Sequence, residues 1–204
     1  MAHESLANVT DWVRDSNADP RVWRFVQSHP WRASVSARRA IAFNRSDDVA
    51  WAVLGLAQSL LAHHQYAISA YRQARRLVPS NPWYAHNLGH LLDVAAGKPH
   101  DAVPLLAHAY ATLCEPSDGP AAPMGSSRRE IVTSYAHALW RCGYLDDAKR
   151  LLLPLVRGRA SPAEHELYAC ILDHIEIAWQ QHAKRLPVTS TAAPRRVLRR
   201  RCTR

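Results

Sequence analysis

The sequence predicts an all-α chain, a solenoid in which antiparallel helix pairs stack one on the next. Three observations carry that expectation. A pattern of large and small residues is written twice: Trp51, Leu54 and Gly55, then Ala67, Tyr71 and Ala74, closed by Pro79; and Ala85, Leu88 and Gly89, then Ala102, Leu106 and Ala109, closed by Pro116. The paired glycines, Gly55 and Gly89, lie 34 residues apart, room for two helices and their turns. Within each copy the apolar residues recur every three or four positions, and prolines or short oxygen-bearing side chains mark the ends.

The chain has 204 residues, 48% of them hydrophobic and 21% charged, enough apolar material for a core. Residues 1–16 hold no apolar run and include acids, which argues against a secretory signal. The longest apolar runs, such as residues 151–156, fall short of a membrane span. Cys114, Cys142, Cys170 and Cys202 form no C-x-x-C pair, which disfavours a zinc framework or a thioredoxin-type site. Buried thiols in a reduced cytosol, and hence a cytoplasmic protein, are the expectation. The net charge of +9 is uneven: the last ten residues hold six arginines and no acid, leaving +3 for the rest. On that count the basicity belongs mostly to a tail, not to a folded groove.

Residues 1–45 are expected to form an N-terminal helical cap. Leu6, Val9, Trp12 and Val13 recur at helical spacing; Asp19-Pro20 resembles a cap followed by proline at the first helical position; and His29-Pro30 separates two further helices. Residues 46–185 form the repeat region. Ser46-Asp47-Asp48 starts the first pair, with helices expected over about 48–63 and 65–77 and small contacts at Gly55, Ala67 and Ala74. Ser80-Asn81-Pro82 starts the second, with helices over about 82–96 and 101–113 separated by a Gly97 turn. Residues 115–127 are too rich in Pro, Gly and Ser to be an element and are expected to be an inserted loop.

A third copy follows over about 129–156. Asp146 and Asp147 are expected to cap its second helix, and Pro154 to kink or fray it. Ser161-Pro162-Ala163-Glu164 is a capping-box signature opening a terminal helix over about 162–185. That helix should bury Leu167, Tyr168, Cys170, Ile171, Ile175 and Trp179. Residues 187–204 are expected to be a basic, disordered tail.

These residues resemble the tetratricopeptide-repeat family, over about 48–79, 82–116 and 129–156. One family position differs, since Gln58 stands where an aromatic residue is usual, which should loosen a contact. The resemblance implies a right-handed superhelix acting as an interaction scaffold without catalytic chemistry, its inner surface lined by the first helix of each pair. Helical geometry places candidates on that surface, because positions i, i+1, i+4 and i+7 share a face. They are His86, Asn87, His90 and Asp93 in the second repeat, and Thr133, Ser134, His137, Trp140 and Arg141 in the third. The corresponding residues of the first, Ala52, Val53, Leu56 and Ser59, are mostly apolar. Asn87 matches the family's frequent asparagine before Leu-Gly, which contacts ligand backbone.

His86 and His90 stand one turn apart, but Asn87 replaces the Glu of an H-E-x-x-H motif, so no metal and no cofactor are expected. No nucleotide loop or nucleophile elbow is present. The expected function is a non-enzymatic adaptor, scaffold or chaperone that binds a protein or peptide through those groove residues. The alternative is a nucleic-acid- or polyanion-associated accessory protein using Arg195, Arg196, Arg199, Arg200 and Arg201 of the tail.

Overall fold

Side-chain caps set three of the helix starts. Asp47 accepts a bond from the Ala50 amide at 2.9 Å, and Asn81 accepts from the Trp83 amide at 2.9 Å, with Pro82 next. Ser161 and Glu164 close a reciprocal box, each side chain bonded to the other's backbone amide. The computed structural model describes residues 20–114, 126–158 and 161–185, and all regular structure among them is helical. The helices are α1 (Pro20–Ser28), α2 (Pro30–Phe43), α3 (Asp48–Leu60), α4 (His64–Leu77), α5 (Pro82–His90), α6 (Pro99–Cys114), α7 (Ser126–Arg141), α8 (Leu145–Arg157) and α9 (Pro162–Arg185). A π-helical segment, Leu91–Ala95, continues α5.

Contacts of any substance run between helices one or two places apart in chain order. The core is correspondingly a row of clusters. Val26, Ala33, Ala37, Val49 and Val53 join α1 to α3; Ile68, Tyr71, Leu88 and Leu106 join α4 to α6; Leu139, Leu152 and Ile171 join α7 to α9. The small residues work as close-approach points. A Cβ on Gly55 would lie 2.8 Å from the buried Tyr71 ring, and one on Gly89 would lie 2.7 Å from Leu106. The two equivalent glycines therefore let α3 meet α4, and α5 meet α6, at the same register.

Several expectations are corrected. Gln58 loosens nothing: it is buried, donates to Ser34 Oγ at 2.6 Å and lies 2.9 Å from His63 Nδ1, tying α3 to α2 and to the following turn. Ala52 and Val53 are core residues, not an open inner surface, because α2 and α4 flank α3. Tyr144, not an aspartate, occupies the α8 cap, and Asp146 and Asp147 fall in the first turn, where they complement the helix dipole. The helix runs past Pro154 to Arg157. Ser126 and Ser127 start α7 and are not part of the loop. Along α9, Ile171 is fully buried, whereas Leu167, Tyr168, Cys170 and Ile175 are half-buried, as suits an outermost helix packed on one side. Cys142 and Cys170 are free thiols, half-buried and not fully enclosed. Residues 1–19, most of the inserted loop, and the tail with Arg195, Arg196, Arg199, Arg200 and Arg201 lie outside the described residues, as does the Trp179 side chain. No helix among the described residues is long and apolar enough to cross a membrane.

Candidate functional site

The two sets of candidates face each other across the α5–α7 contact. His86 Nε2 lies 3.0 Å from Ser134 Oγ, and His90 Nδ1 reaches the same hydroxyl at 3.5 Å. One turn further, Asp93 meets both His137 and Arg141: His137 Nδ1 is 2.6 Å from one carboxylate oxygen, and Arg141 donates to the other at 2.7 Å. The seam is a polar zip, with three successive α5 positions bonded to three successive α7 positions.

The π-helical segment matters here. Asp93 sits at its centre, only 1% exposed, close to where the helix runs out of backbone donors for its last carbonyls. Arg141 supplies one, donating to the Asp93 carbonyl as well as to its carboxylate. A single guanidinium so neutralises a buried acid and caps a helix end from the neighbouring repeat.

Burial tunes the histidines. His86 is 7% exposed, and desolvation lowers its pKa to about 4, so the ring is neutral in ordinary buffers. Asn87 joins its Oδ1 to His86 Nδ1 at 3.1 Å and donates from Nδ2 to the Tyr71 hydroxyl at 3.3 Å. His90 is the open member. Its ring lies 6.1 Å from that of His86, and desolvation lowers its pKa too, against the pull of Asp93.

Thr133 belongs to a different junction. Its hydroxyl reaches Glu164 at 3.4 Å, where Arg129 also donates to both carboxylate oxygens. Burial alone would raise the Glu164 pKa, but hydrogen bonds from Arg129 and Ser161 outweigh it and leave the carboxyl below its usual range. The capping-box signature marked Glu164 in the sequence; nothing there marked Arg129 as its partner.

Trp140 extends from the seam toward α9, its ring 5.5 Å from that of His137. Its indole donates to His174 Nδ1 at 2.7 Å, with ring centroids 5.4 Å apart. Beside them opens a cleft of about 440 Å³ between the end of α7, the start of α8 and α9, also lined by Leu145, Ile177 and Ala178. His174 was not among the sequence candidates. Its separation of 34 residues from Trp140 equals the repeat period, the one sequence signal that could have paired them.

Chemically, Ser134, His86 and Asn87 are connected in the order of a nucleophile, a base and its orienting group. Two requirements of acyl transfer are unmet. An imidazole with a pKa near 4 is a weak base, and the amides beside Ser134 and His86 are committed to helical hydrogen bonds, leaving none for an oxyanion. Among the described residues, no three His, Cys, Asp or Glu side chains converge as metal ligands would. A scan against protein-family models and a search of curated proteins found no match to the chain.

Proposed function

We propose that the chain is a non-enzymatic helical-repeat scaffold of the tetratricopeptide type, binding another protein or a peptide along the α5–α7 surface. The observation that carries this reading is the repetition of one packing device at a 34-residue interval: Gly55 against Tyr71 and Gly89 against Leu106. A right-handed superhelix is the arrangement such stacked pairs adopt.

The seam covers the candidate residues to different degrees. His86, Asp93, Thr133 and Ser134 are engaged by neighbouring helices, and they hold the repeats in register. His90, Asn87, His137, Trp140 and Arg141 retain exposed surface, His137 and Arg141 while bonded to Asp93. A partner would read those five, and Trp140 borders the adjoining cleft, where an apolar side chain of a bound peptide fits.

The test is affinity capture on the full chain, comparing wild type with the Asn87→Ala/His90→Ala double variant. A defined protein retained by wild type and lost by the variant supports the scaffold. Identical captured sets would count against this surface. A fluorophosphonate probe that labels Ser134 would overturn the non-enzymatic reading.

A further inference from the structure

The total charge hides an asymmetry within the folded part. Residues 20–77 contain nine arginines and two aspartates, a net charge of +7, only partly offset by −3 over residues 1–19 and −1 over residues 78–194. Both aspartates are used inward: Asp47 caps α3, and Asp48 accepts from the Tyr84 hydroxyl at 2.7 Å. The tail carries most of the net charge, but residues 20–77 hold a basic region of their own.

The arrangement on α2 is more informative than the count. Trp31, Arg38 and Ala42 follow one helical row, and Arg32, Arg39 and Phe43 the next, both on the exposed side. Ala33, Ser34 and Ala37 take the opposite side against α3. Trp31 is 68% exposed and Phe43 is 96% exposed. Large aromatic rings left this open on a small-residue helix contribute nothing to its packing. They stand at the two ends of the face, about 18 Å apart at 1.5 Å per residue, with three arginines between and beside them. On α4, Tyr66 is also exposed, as are Arg72 and Arg76 elsewhere on the same helix.

We propose that this face of α2 binds single-stranded nucleic acid. Arginines neutralise phosphates in either a duplex or a single strand, but exposed rings engage bases only where those bases are unstacked. An acidic protein would use the arginines and gain little from flanking aromatic rings. This surface is independent of the α5–α7 seam and of the arginine tail.

The experiment is fluorescence anisotropy of a labelled oligouridine with the full chain across a salt series. It is repeated with the six tail arginines 195, 196, 199, 200, 201 and 204 changed to glutamine. Binding that survives tail neutralisation is expected. Against that background, Arg32→Gln/Arg38→Gln/Arg39→Gln should flatten the slope of log affinity against log salt by about 2, from three phosphates at about 0.7 each. The matching lysine variant should restore the slope. Trp31→Ala/Phe43→Ala should weaken binding about tenfold or more while leaving the salt slope unchanged. All these side chains are exposed, so thermal melts should superimpose. No binding once the tail is neutralised would overturn the proposal. So would silent aromatic substitutions together with equal competition by polyglutamate, which would assign the face to acidic proteins.

Discussion

The guanidinium of Arg141 binds Asp93 twice, once through the carboxylate at 2.7 Å and once through the backbone carbonyl, across a sequence separation of 48 residues. One side chain from α7 thus completes the end of α5 and compensates a charge that is otherwise enclosed. Removing it strands a buried carboxylate with His137 alone. Because Arg141 is partly exposed, Arg141→Ala is expected to cost about 3 kcal/mol, the lower end for a broken buried pair. Urea denaturation measures it. Combining it with Asp93→Asn should cost less than the two single changes added, since the asparagine needs no counter-charge; strict additivity would deny the coupling.

His86 predicts a pH dependence with a definite sign. Its folded pKa, about 4, lies below its ordinary value near 6.5, so the unfolded chain takes up the proton first. The neutral ring's contribution is complete above about pH 6.5 and is lost as pH falls toward 4, by up to about 3 kcal/mol. Glu164, whose carboxyl is depressed, keeps its contribution down to the ordinary carboxylate pKa and loses it as pH falls further. Stability curves of wild type and His86→Gln should therefore differ in slope between pH 6.5 and 4. Parallel curves there would show that His86 does not titrate as described.

The close-approach glycines predict an unequal pair. At Gly55 the obstacle to a methyl is the fully buried Tyr71 ring, which has no room to turn. Gly55→Ala should cost about 2 kcal/mol, overpacking outweighing the roughly 1 kcal/mol gained in helix propensity. At Gly89 the obstacle is the branched end of Leu106, with the Ala102 carbonyl 3.3 Å away. Leu106→Val in the Gly89→Ala background should recover part of the loss in thermal melts.

Ala62 predicts a gain. It holds a left-handed backbone, φ +59°, in the turn between α3 and α4, where a Cβ is strained. Ala62→Gly should raise stability by about 0.5 kcal/mol, the relief of that strain less glycine's greater chain entropy. A lower melting temperature would mean that the turn tolerates alanine without cost.

Much of the fold was legible because its signals are local. Asn81-Pro82, the Ser161–Glu164 box and the Gly97 turn, with φ +66°, are short motifs satisfied within one helical turn. The candidate faces were legible too: the three-and-four spacing that grouped His86, His90 and Asp93 also brought them opposite Ser134, His137 and Arg141. What that spacing could not show was whether a shared face is open or already occupied. Gln58 illustrates the limit, a polar residue at a packing position whose partners, Ser34 and His63, come from two other parts of the fold.

By itself the sequence determined most of the helices, the caps at Asp47, Asn81 and Ser161, and the 34-residue repetition, because each depends on residues within a few positions or on a recurring pattern. The tertiary structure alone decided which polar residues bond across neighbouring helices and which keep exposed surface. It also decided that the charge on α2 forms one face with Trp31 and Phe43. Those outcomes depend on what a neighbouring helix covers, and coverage is a property of packing between segments, which no local spacing records.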